Sequence, residues 1–190
     1  MKHGVSDWLI WLLPLALSLD LGGCSSASPL AVNEFRSDYA VAADRTLQYR
    51  VPLGWLDASA DSQAVGHVVW LVRNDYGASI AVDRLYLNDD ARAALAGNGL
   101  LELAGLQIGL VSSSMPVEVT EQPVLRRVNG KKLCVYSLRM TPGGDVKRTI
   151  LVSAGSALYA VHAFVAAQNG ANDAEKVHAL QGSFVTLLRW

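Results

Sequence analysis

The sequence predicts an α+β fold in which one antiparallel sheet carries helices on both faces, an α/β/α sandwich formed by a single domain over residues 45–190. Three observations predict it. Residues 117–167 read as four strands in a row, separated by the turn signals Asn129-Gly130, Pro142-Gly143-Gly144 and Gly155-Ser156. The middle strands are apolar at both parities, with Leu133 and Val135 against Cys134, Tyr136, Leu138 and Met140, so both faces of that sheet need cover. At the C-terminus Val177, Leu180, Phe184 and Leu187 recur at spacings of three and four, the apolar stripe of a covering helix.

The chain opens on Lys2, an apolar run from Trp8 to Leu19 and the small residues Gly22-Gly23 before Cys24, which is the pattern of a secretory signal peptide over residues 1–23. The run is short and contains Pro14, whereas a spanning helix takes about 20 apolar residues. Leu21-Gly22-Gly23-Cys24 resembles the bacterial lipobox, in which small residues admit the peptidase and a thiolate takes a diacylglyceryl group. That resemblance makes Cys24 the lipidated first residue of the mature chain. The expected site is the bacterial cell envelope, lipid-anchored and facing the periplasm. Ser25-Ser26 in place of an aspartate favours the outer membrane over the inner. An ordinary signal peptide cut nearby, or an uncleaved anchor, is the alternative.

Residues 24–44 read as a tether, with a short helix near Val32 to Tyr39. About 20 flexible residues span on the order of 25 Å, which keeps the domain near its membrane. Leu47, Tyr49 and Val51 alternate with polar neighbours as a half-buried strand, closed by Pro52-Leu53-Gly54-Trp55. His67 to Arg73 and Ala78 to Leu87 form a hairpin about Asn74-Asp75-Tyr76-Gly77, and the first of these strands is apolar at both parities. Asp89-Asp90 offers an N-cap to an Ala- and Leu-rich helical stretch from Ala91 to about Val111, which Gly97-Asn98-Gly99 divides. Asn172 or Asp173 caps the closing helix.

The composition excludes more than it selects. The 190-residue chain has a formal net charge of −1, so no basic excess points to nucleic acid. The charge is unevenly spread: Ala31 to Met115 holds 6 basic and 10 acidic residues, Glu118 to Ser153 holds 7 and 3. Of 2 cysteines, Cys24 goes to lipid, which leaves Cys134 as a core thiol.

The order of these parts resembles the PsbP-like fold, and within it the DcrB-type bacterial envelope lipoproteins. The likeness runs through the lipobox, a strand ending in Pro52-x-Gly54-Trp55, a hairpin, a helix, a four-stranded meander and a closing helix. It implies binding of protein partners without catalysis, and it brings no active site to carry over.

The chemistry-bearing residues fit that expectation. His67, His162 and His178 have no ligand-like spacing, although His67 and His162 could meet across the sheet; no metal site and no cofactor is expected. Ser112-Ser113-Ser114 lacks a nucleophile elbow and reads as a loop at the helix end. The unusual feature is a basic hairpin. With Asn129-Gly130 as turn residues, Arg127 lies opposite Lys132, and like charges so placed are destabilising. Taking Gly143-Gly144 as turn residues puts Arg139 opposite Arg148 as well. Arg126, Arg127, Lys131 and Lys132 are the candidate site for an anionic headgroup or an acidic patch on an envelope protein. The sequence thus predicts a non-catalytic interaction or assembly module, with a carrier of a small apolar or lipid ligand as the alternative.

Overall fold

The computed structural model describes residues 34–97, 99–154 and 157–190. The signal peptide, Cys24 and residues 24–33 of the expected tether lie outside the described residues. Among the described residues no helix is long and apolar enough to cross a membrane.

The elements are β1 (Ala40–Val41), β2 (Gln48–Tyr49), β3 (Trp55–Asp57), β4 (Val69–Arg73), β5 (Ala78–Arg84), α1 (Asp89–Gly97), α2 (Leu100–Ser114), β6 (Val117–Val128), β7 (Lys131–Met140), β8 (Val146–Ala154), β9 (Ala157–Val165) and α3 (Gly170–Leu187). β3 to β9 form one seven-stranded sheet in the order β3-β4-β5-β9-β8-β7-β6, and every pair in it is antiparallel. The chain lays down the β3-β4-β5 side first. It then crosses one face as α1 and α2 to the far edge, β6, and meanders back until β9 pairs with β5. This is the α/β/α sandwich expected from the sequence, with α3 on one face and α1–α2 on the other.

Strand alternation splits the core in two. Leu71, Ile80, Val161, Ile150 and Val135 point to one side, where they meet Val177, Leu180 and Phe184 of α3. Cys134, Tyr136, Leu138, Leu151, Leu158 and Ala160 point to the other, under Leu100, Leu103 and Ala104 of α2. At one end of the sheet Arg73 Nη1 lies 2.8 Å from Asp173 Oδ1, which ties the end of β4 to the first turn of α3.

Several sequence expectations need correction. The folded unit begins before residue 45: Phe35 and Ala42 are buried, Phe35 bridges to Pro52, and β1 pairs with β2 apart from the main sheet. Past Glu34, which stands in a 3-10 turn, the expected helix near 32–39 does not form in its described part, because Phe35 is held extended by that bridge. The cap of α1 is Asn88, whose Oδ1 accepts from the Ala91 N–H at 2.9 Å; Asp89 and Asp90 lie in the first turn. α3 starts at Gly170, two residues before the expected cap.

Candidate functional site

The crossing of α1 and α2 leaves part of its face bare. Rows of side chains run across the sheet there. One row is Trp70, Ala81, His162, Thr149 and Tyr136; the next is Val72, Ser79, Phe164, Lys147 and Leu138. Over β7 and β8 the rows end under α2, where Tyr136 Oη donates to Gln107 Oε1 at 2.8 Å. Over β4, β5 and the end of β9 no helix covers them. Trp70, Val72 and Phe164, with Leu56, Ala58 and Tyr76, line an open groove of about 570 Å³ rimmed by Asp61 and Asp145. Tyr76 is 78% exposed, held at φ 60° in the β4–β5 turn. Apolar residues at both parities of β4 imply cover on both faces; Trp70 and Val72 are in fact only half-buried, because the helices cross beyond them.

Beside the groove lies a polar chain. His67 Nδ1 bonds Asp83 Oδ1, and His162 Nε2 lies 3.3 Å from Asp83 Oδ2. Thr149 Oγ1 sits 3.0 Å from His162 Nδ1. Burial opposes charge on Asp83, but hydrogen bonds from His162 and His67 outweigh it and hold the carboxyl below its usual range. Burial pushes His162 down despite the carboxylate, so its ring is neutral, donating from Nε2 and accepting at Nδ1.

Thr149, His162 and Asp83 stand in the order of nucleophile, base and acid. The geometry is not catalytic, since Thr149 is 0% exposed and no substrate reaches its hydroxyl. Nor is it a ligand set: the two imidazoles engage different oxygens of one carboxylate, and no metal-holding group occurs among the described residues. His67 and His162 do meet, as the sequence allowed, but through Asp83. That residue could be placed only once β5 was known to pair with β9.

The four hairpin residues are brought to one tip and divided by the sheet. Asn129 and Gly130 have φ 49° and 78°, as a type I′ turn requires, and Arg127 faces Lys132 in the expected register. These two point to the α2 side and form no ion pair among the described residues. Arg126 and Lys131 point to the α3 side and are engaged. Arg126 lies 3.3 Å from Glu121, while Lys131 donates to the Leu188 carbonyl at 3.1 Å and sits over the Trp190 ring. Burial pushes the Lys131 ammonium below its usual range. The second like-charge pair is absent. β7 and β8 are joined by a longer connection, so Arg139 faces Val146 and Arg148 faces Ser137; Arg139 pairs with Glu118 at 2.8 Å and Arg148 with Glu121 at 3.4 Å.

His178 stands on α3 with its Nε2 buried and unpartnered, and Ser113 and Ser114 bond back to the Leu110 carbonyl at the end of α2. The serines are therefore helical rather than in a loop. Cys134 is buried and free, as expected.

No family model matches the sequence, and no curated protein does. Solved structures match the fold. Cyanobacterial PsbP (CyanoP) from Synechocystis sp. PCC 6803 superposes with a TM-score of 0.54 at 12% identity, covering 89% of this chain and 98% of that one. The Ran-binding protein Mog1p of Saccharomyces cerevisiae superposes with a TM-score of 0.55 at 13% identity, covering 82% and 95%. The seven-stranded antiparallel sheet with helices on both faces is the PsbP/Mog1 fold.

Proposed function

We propose that this chain is an envelope lipoprotein of the DcrB type, anchored through Cys24 and facing the periplasm, whose domain is a non-catalytic protein-interaction or assembly module. The observation that carries the reading is the bare part of the sheet. Aromatic and aliphatic side chains of β3, β4 and β9 form an open groove that the protein's own helices leave uncovered. Partly exposed apolar surface of that kind is what an interface core uses, with Asp61 and Asp145 as a polar rim. The fold of a protein named for binding Ran supports the same class of activity. The carrier reading calls for an enclosed apolar chamber, whereas the groove is open along its length, which favours docking.

Photoreactive residues placed at Tyr76 in the groove and at Glu175 on α3 test the module in intact cells. A protein captured from Tyr76 and not from Glu175 supports it; no protein captured from Tyr76 overturns it. Anchoring is tested separately. Cys24→Ala should move the protein from the membrane to the soluble fraction, and an unchanged distribution removes the lipoprotein reading.

A further inference from the structure

α2 is an unusual surface helix. Its 15 residues carry one charge, Glu102, and only Leu100, Leu103 and Ala104 are buried. Apart from Glu102 and the serines of its last turn, the outward side carries leucine and glycine where amphipathic helices present polar residues to water. Leu101 is 40% exposed, Leu106 44% and Leu110 69%, with Met115 beyond the helix end at 46%. Gly105 and Gly109 lie between these leucines, and a Cβ added at either would meet nothing within 4 Å. Leu106 and Leu110, four residues apart, share one face, with Glu102 one turn before them at the start of the helix.

The same side of the molecule carries the unexplained charges. Leu125 continues the row of Cys134 and Leu151 that points toward α2, and it is 53% exposed. Arg127 and Lys132 follow on the same face, directly opposite each other and without an acidic partner among the described residues. Two like charges held together beside exposed leucines are destabilising in water. Against an anionic surface both features become favourable at once.

We propose that the outer face of α2, with Leu125, Arg127 and Lys132 beside it, rests on the surface of an anionic phospholipid bilayer. The leucines enter the headgroup boundary and the two cations meet lipid phosphates. The inference rests on the envelope placement above, and it narrows the basic hairpin to the two residues that are free. Arg126 and Lys131 act within the fold. Docked so, the α2 face is turned to the membrane, with the groove of β3, β4 and β9 beside the helices on that same face, and α3 on the opposite face is turned away from it.

Every described element lies within residues 34–190, so a chain of residues 24–190 with Cys24→Ser contains all of them and lacks the thiol that would take lipid. Flotation of this chain with vesicles of phosphatidylcholine and phosphatidylglycerol tests the surface whether or not the anchor exists. Binding is expected to these vesicles, to weaken as salt is raised, and to be weaker on phosphatidylcholine alone. Arg127→Gln with Lys132→Gln should weaken it about thirtyfold, and Leu106→Ser with Leu110→Ser by about tenfold or more. Lys176→Gln on α3 should leave it unchanged. No binding to either vesicle, or binding that the α2 and hairpin variants do not alter, overturns the proposal. So does a dimer in sedimentation, abolished by Leu106→Ser, in place of vesicle binding; the face would then belong to a second copy.

Discussion

Thr149 Oγ1 stands 3.0 Å from His162 Nδ1 at a point on the sheet with no solvent access, and because burial keeps the ring neutral and its Nε2 faces Asp83, Nδ1 accepts from the hydroxyl. The ring turns its other nitrogen to Asp83, so one hydroxyl on β8 orients a charged cluster on β5. Thr149→Val keeps the shape of the side chain and leaves Nδ1 buried without a donor. The variant should lose about 1–3 kcal/mol of stability in urea unfolding at pH 7. A loss below a few tenths would mean the contact adds nothing.

His178 gives the stability a pH dependence of definite sign. Burial, with help from the Arg148 charge, pushes its pKa down to about 4 from an ordinary 6.5. The unfolded chain therefore takes up the proton first, and stability falls as pH drops from about 6.5 toward 4. His162, also held low by burial, adds to the fall in the same direction. His178→Leu should shrink the difference in stability between pH 7 and pH 5 by about 1 kcal/mol, a figure reduced for the partial exposure of the ring. An unchanged difference in denaturant midpoints would contradict the assignment.

The basic residues at the hairpin tip separate by role. Lys131→Ala removes the bond to the Leu188 carbonyl and the cation over Trp190, which itself lies 4.6 Å from the Tyr159 ring. It should cost about 1 kcal/mol. Lys132→Glu converts a like-charge pair into an attractive one and should stabilise by about 0.5 kcal/mol. Equal effects in thermal unfolding would show that the two lysines are equivalent after all.

Cys134 is fully buried between β7 and α2, and burial pushes its thiol up to about 11. A thiol reagent at neutral pH should label it only at the rate of unfolding, and completely in denaturant. Fast labelling of the native chain would place the thiol at the surface.

What the sequence made legible follows from locality. Asn129-Gly130 set its register unaided, because two adjacent positive-φ residues admit one tight turn. Pro142-Gly143-Gly144 misled, since the same residues also serve a longer connection in which the Met140 N–H reaches the Asp145 carbonyl at 2.9 Å. The two-sided core was visible in the apolar parities of β7. The groove was not, because it depends on where a crossover runs and not on any residue in it. Asp83 likewise gains its second imidazole, His162, from β9, some 80 positions away, through a pairing that no local pattern marks.

Leu56 probes the bare part of the sheet, the proposed docking surface. It is 45% exposed at the edge of the groove, so Leu56→Asp should leave the fold intact. With the partner captured from Tyr76 purified, its affinity should fall at least about tenfold for the variant while thermal unfolding stays unchanged. Equal affinity for Leu56→Asp and the unaltered chain would contradict the account and move the docking surface elsewhere.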